Sequence, residues 1–123
     1  MSIVKFNHVS PFTFKAPNNF QYHSLKELAK TDAETGRTGR TYLLRGLFIN
    51  RTGQYGPQPV AVTSQEYVNL PSHLLDDVAD IMNDPEIVKD INDCKTGFQI
   101  REYTNRNGGK SYSVSWVEVE NPF

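Results

Sequence analysis

Two segments combine cations and flat rings in a way that suits the phosphates and bases of a nucleic-acid strand. In TGFQIREYTNRNGGKSYSVSWVEV (96–119), strand alternation puts Phe98 and Ile100 on one face and Gln99, Arg101 and Tyr103 on the other. Arg106 and Lys110 stand at the loop between the two halves. Cations neutralise phosphates, and a flat ring stacks on a base for roughly 1–3 kcal/mol. The second segment, Arg51-Thr52-Gly53-Gln54-Tyr55-Gly56, sets an Arg and a Tyr among glycines, a flexible finger able to close over a strand. Arg45 precedes it in an extended stretch, and Arg37 and Arg40 flank the glycines of TDAETGRTGR (31–40), where a ligand would order them. Each cluster also has an ordinary reading. The first is an amphipathic hairpin with solvated cations, the second a plain turn, and Arg45 a solvated strand residue.

The charge distribution supports the same chemistry. Residues 72–93 hold seven of the fourteen acids (Asp76, Asp77, Asp80, Asp84, Glu86, Asp90, Asp93) and one base, Lys89. The rest of the chain holds twelve Lys/Arg against seven Asp/Glu, and all fourteen Phe, Tyr and Trp residues. The net charge of −1 gives no hint of a nucleic-acid partner, so that reading rests on distribution alone. The acids lie opposite a helical apolar stripe and lack the loop pattern of a calcium site, so they read as a solvated face that repels nucleic acid. No metal site is expected. Catalysis has little support either: His8, His23 and His73 are scattered, Cys94 has no nucleophile signature, and GRTGRT lacks the Lys-Ser/Thr of a phosphate loop.

The elements that must carry these residues follow from periodicity. Residues 1–6 suit a short strand, and 20–30 begin extended and finish as a turn of helix. The segment 31–40 reads as a mobile, basic-ended loop. TYLLRGLFINR (41–51) is the strongest strand, and Gly46 at its middle predicts a bulge or bend. PVAVTS (59–64) pairs with it, and 64–71 connects onward. SHLLDDVADIMND (72–84) and DPEIVKDIND (84–93) are amphipathic helices, with Ser72 and Asp84 as N-caps and Pro85 in the first turn. Gly97 marks the exit, and Asn107, Gly108 and Gly109 supply the turn of the last hairpin. Strands, a short helical pair and two more strands predict a mainly β fold. The expected form is a small antiparallel barrel of the oligonucleotide-binding type with a short helical insert, and an open α+β sandwich is the alternative.

The 123 residues suit one domain, 1–123, and the 37% apolar content leaves much of the chain on surfaces or in loops. A single Cys excludes an internal disulfide. MSIVKFNHVSPF lacks a signal-peptide core, and no apolar run approaches the roughly 20 residues of a membrane span, so a soluble intracellular protein without membrane contact is expected.

Five segments carry a family resemblance: LRGLFINRTGQYGPQPVAVT (44–63), VNLPSHLLDDV (68–78), DPEIVKDIND (84–93), GFQIREY (97–103) and YSVSWVEV (112–119). The stretch from Tyr42 to Val119 resembles the small single-stranded DNA-binding proteins encoded in replication modules of phages of lactococci and related Gram-positive bacteria. The resemblance implies an oligonucleotide-binding fold and sequence-tolerant binding of single-stranded DNA during phage replication or recombination. It also implies no cofactor, a dimer or higher homo-oligomer, and residence in the cytoplasm of the bacterial host. The ending VEVENPF is similar to the acidic Pro-Phe tips by which bacterial single-strand binders recruit replication or recombination proteins, although here no linker precedes it. From face and charge, the expected DNA-binding residues are Arg37, Arg40, Arg45, Arg51, Tyr55, Arg101, Tyr103, Arg106 and Lys110. The alternative is a phage protein–protein module that inhibits a host enzyme or defence complex through its acidic helical face.

Overall fold

A computed structural model describes residues 11–51 and 56–119 of the chain. In chain order the elements are β1 (Tyr22–Ser24), α1 (Leu25–Glu34), β2 (Thr41–Asn50), β3 (Gln58–Thr63), β4 (Tyr67–Asn69), a 3₁₀ turn (Ser72–Leu74), α2 (Leu75–Met82), α3 (Pro85–Asn92), β5 (Thr96–Thr104) and β6 (Lys110–Glu118). The strands form one sheet in the order β1-β4-β3-β2-β5-β6, antiparallel except for the parallel β1–β4 pair. It curls into a half-barrel, the mainly β, barrel-like architecture that the element order predicts. No helix among the described residues is long and apolar enough to cross a membrane.

β2 makes the curl possible. Its first residues pair with β5 (Thr41↔Gln99, Leu43↔Gly97), and its later ones pair with β3 (Leu47↔Ala61, Ile49↔Pro59). Between the two ladders the register slips from Leu44↔Thr63 to Gly46↔Val62, so Arg45 and Gly46 together oppose one residue. This is the bulge that a glycine in mid-strand predicts, and it bends the strand from one half of the barrel into the other. The slip also keeps Leu44 and Leu47 both buried although they are three apart. They join Tyr42, Ala61, Val68, Phe98 and Val114 from the sheet in one core with Leu25 and Leu28 of α1, Val78 of α2 and Ile91 of α3. At the ends of the sheet, α1 lies against β6, and His73 Nε2 stands 3.2 Å from Ser113 Oγ in β6.

Several local expectations need correction. The segment 31–40 is not a loop throughout, because α1 runs to Glu34. Ser24 caps it by accepting from Glu27 N at 3.1 Å, and Arg37 N donates to Asp32 O where the helix ends in the left-handed Gly36. The segment 64–71 is not merely a connection, since it contains β4. Ser72 makes no capping bond: Pro71 precedes a 3₁₀ turn, and α2 starts only at Leu75. Asp84 does cap α3, accepting from Glu86 N and Ile87 N, with Pro85 behind it. α3 ends at Cys94, whose φ of 62° places a non-glycine residue in the left-handed region. Cys94 N donates to Ile91 O and Lys95 N to Asp90 O, the paired bonds of a Schellman ending. Gly97 therefore does not end the helix. It sits inside β5, where a Cβ would stand 2.6 Å from the Tyr42 carbonyl oxygen. The predicted strand at 1–6 lies outside the described residues.

Candidate nucleic-acid interface

Residues paired across a ladder point to the same face, so the register defines the outer face of the sheet. On β5 and β6 that face carries Gln99, Arg101 and Tyr103 opposite Ser115, Ser113 and Ser111, with Ser113 itself buried beside His73. It continues through Thr41, which accepts from Gln99 Nε2 at 3.0 Å, and Leu43 to the bulge at Arg45 and Gly46. From there it crosses the strands along the row Gly46, Val62, Tyr67 and Tyr22. Phe48 belongs to the same face one register step away, paired with Val60.

Tyr67 is the hub of an aromatic cluster on this face. Its ring lies 4.7 Å from Tyr22, 5.6 Å from Phe20 and 5.7 Å from Phe48, the last two edge to face. Phe14 continues the series at 6.2 Å from Phe20. The segment from Phe12 to Phe20 lies across the bulge and supplies two of these rings, Phe14 and Phe20. Phe12 is buried against Gly46, where a Cβ would meet its ring at 3.4 Å. Half of the Tyr22 surface is exposed (50%), and Phe14, Phe20, Phe48 and Tyr67 are half-buried. Half-covered rings of this kind offer a π-face without unfolding anything.

The cations divide into three groups. Arg45 turns its guanidinium onto the Phe14 ring, 4.6 Å from its centroid, and its Nε is buried without a hydrogen-bond partner among the described residues. Arg101 and Arg106 are exposed on the final hairpin with Tyr103 (40% exposed). Lys110 is also exposed there but stands 3.4 Å from Glu102. The hairpin tip is built by Asn105 rather than by three left-handed residues. Its Oδ1 accepts from Asn107 N and Gly109 N at 3.0 Å each, its Nδ2 donates to Ser111 Oγ, and only Gly108 has positive φ. Arg51 is exposed at the end of β2, and Arg37 is exposed in the turn after α1. That turn shares a groove of about 370 Å³ with Glu102 and Lys110, so the two basic loops meet at one end of the molecule.

Arg40 is committed inward. Its Nε lies 3.1 Å from Asp32 Oδ1, and its guanidinium covers the Tyr42 ring at 4.1 Å. Tyr42 donates its hydroxyl proton to the other Asp32 oxygen at 2.5 Å. Burial and that bond to a carboxylate push the phenol up to about 12, against an opposing pull from Arg40. Arg40 therefore secures α1 to β2. Nothing is described for Tyr55 or for the terminal Pro122-Phe123, which lie outside the described residues. The carboxylates of Asp76, Asp77 and Asp80 are exposed on α2.

Of the expected residues, the fold thus groups Arg101, Tyr103, Arg106 and Lys110 on one hairpin and sets Arg37 near them. Arg45 joins the aromatic half of the face instead. That aromatic half is not visible in any one stretch of the sequence, because its rings come from 12–22, 48 and 67. No family model, no curated protein and no solved structure matches the chain.

Proposed function

We propose that this protein binds single-stranded DNA along the outer face of its curled sheet, without a cofactor and with little dependence on sequence. The observation that carries the reading is the half-exposed ring cluster around Tyr67, continuous in register with Arg45, Arg101 and Tyr103. In oligonucleotide-binding barrels the ligand crosses the second and third barrel strands and the loops joining strands one to two and four to five. The five barrel strands here are β2 to β6. The corresponding face is then that of β3 and β4, where Tyr67 sits. The loops are the segments after Asn50 and after Thr104: Arg51 opens the first, Arg106 lies in the second, and Lys110 starts β6 behind it.

Stacking on the rings supplies sequence-tolerant affinity, and the hairpin cations hold the backbone. The exposed carboxylates of α2 disfavour binding on the helical side. Such a molecule would protect and straighten strands during replication or recombination, as the resemblance to phage single-strand binders implies. A homo-oligomer and contacts with replication proteins belong to the same proposal. The test is a titration of fluorescent oligo-dT and of duplex of equal length at several salt concentrations. Tighter binding of the single strand, with affinity falling steeply as salt rises, is expected. Equal affinity for the two, or none for either, refutes the reading.

A further inference from the structure

Beneath the segment that crosses the bulge lies a pocket of about 220 Å³, lined by Phe12, Phe14, Ala16, Phe48, Val62 and Tyr67, with Gly46 and Leu47 at its base. It is smaller than the roughly 300–1,000 Å³ of sites for drug-sized ligands, so it suits one ring system rather than a length of chain. Four of its lining residues are aromatic, and Gly46 at its floor contributes no side chain of its own. Arg45 does not line the pocket, but its guanidinium stacks on the Phe14 ring and supports that wall.

An aliphatic ligand would fill the apolar walls but leave their π-faces unused. A flat heterocycle matches both the size and the walls, since its faces meet the rings. Resting on the strand-binding reading, we propose that the pocket receives a single base of the bound strand, turned out of line with its neighbours. Arg45 then supports the pocket wall while Arg101 contacts phosphate, although both are arginines on one face. The inserted base also gives the otherwise sliding strand a fixed point.

Two variants and one control test this. Ala16→Leu fills the pocket from its roof, and Phe14→Leu keeps an apolar residue while removing a flat wall. Each is expected to weaken oligo-dT binding about tenfold, the loss of one stacked base, with the slope of log affinity against log salt unchanged. Arg101→Ala, as the control, should reduce that slope by about one while leaving the pocket intact. Thermal unfolding of each variant establishes that it is folded. If Ala16→Leu does not fold, Phe14→Leu decides the matter. If the unmodified protein binds oligo-dT and the folded pocket variants bind it equally well, the pocket assignment is overturned and the strand-binding reading stands. If the unmodified protein binds no oligo-dT, both are overturned.

Discussion

The inward-facing trio of Asp32, Arg40 and Tyr42 is expected to make stability depend on pH in the alkaline range. Tyr42 is only 4% exposed, and its hydroxyl is held by the Asp32 carboxylate at 2.5 Å. Its pKa is raised from an ordinary 10.0 to about 12, chiefly by burial. A folded-state pKa above the unfolded value means that the folded protein keeps its proton longer. The stabilisation is complete below about pH 10 and is lost as pH climbs through about 12. A shift of about two pH units corresponds to ~3 kcal/mol, a large part of a domain's usual 5–15 kcal/mol. Tyr42→Phe removes the titrating group and leaves Asp32 with Arg40 alone. Near neutral pH this variant should be less stable by about 1–3 kcal/mol, the cost of a buried acceptor losing its donor. The difference between the two proteins should then shrink as pH rises and approach zero by about pH 12. Urea unfolding followed by Trp116 fluorescence suits the measurement. That single tryptophan is half-buried, edge-on to Phe98 with ring centroids 6.3 Å apart. Every other ionisable group is common to the two proteins and cancels in the comparison. If the variant loses stability between about pH 10 and 12 as steeply as the unmodified protein, Tyr42 is not the responsible group.

Three further predictions concern single positions or one face. Cys94→Gly relieves a left-handed backbone position and should stabilise by about 0.5–1 kcal/mol, read as a higher urea midpoint; an unchanged or lower midpoint counts against the strain. Gly97→Ala drives a Cβ toward the Tyr42 carbonyl oxygen and should cost about 1–3 kcal/mol, with amide exchange faster at Leu43 and Phe98 than at Val68. Replacing Asp76, Asp77 and Asp80 together by Asn should leave oligo-dT affinity unchanged at high salt and raise it slightly at low salt; a collapse of binding to a host protein would favour the acidic face as the working surface instead.

What could be read from the sequence depended on how local each signal was. The bulge at Gly46 and the cap at Asp84-Pro85 were legible because a single glycine in a branched strand and an Asp-Pro pair have few other uses. The hairpin faces were legible from strict alternation, which placed Arg101 and Tyr103 together. α1 was underread although Ser24-Leu25-Lys26-Glu27 is a capping box, because the glycines and arginines that follow dominated the segment. β4 has three residues and a parallel partner far away in the chain, so no periodicity could reveal it. Arg40 resembles any loop arginine until a turn of helix brings Asp32 beneath it. The ring cluster was illegible for the same reason: Phe14, Phe20, Tyr22, Phe48 and Tyr67 meet only once the sheet has formed.

The division of β2 between two ladders also sets an order of assembly. Its later half closes a short loop with β3, and β4 follows at once, so Phe48 and Tyr67 are brought together by neighbouring stretches of chain. Its earlier half must wait for β5, on the far side of two helices, before Tyr42 can meet Phe98. Pairings that close long loops pay their entropy first and form late. The meander of β2, β3 and β4 is thus expected to form first, with docking of the β5–β6 hairpin completing the molecule. A chain halted before Thr96 would carry most of the rings and neither Arg101 nor Arg106, half of a surface whose two halves are synthesised apart.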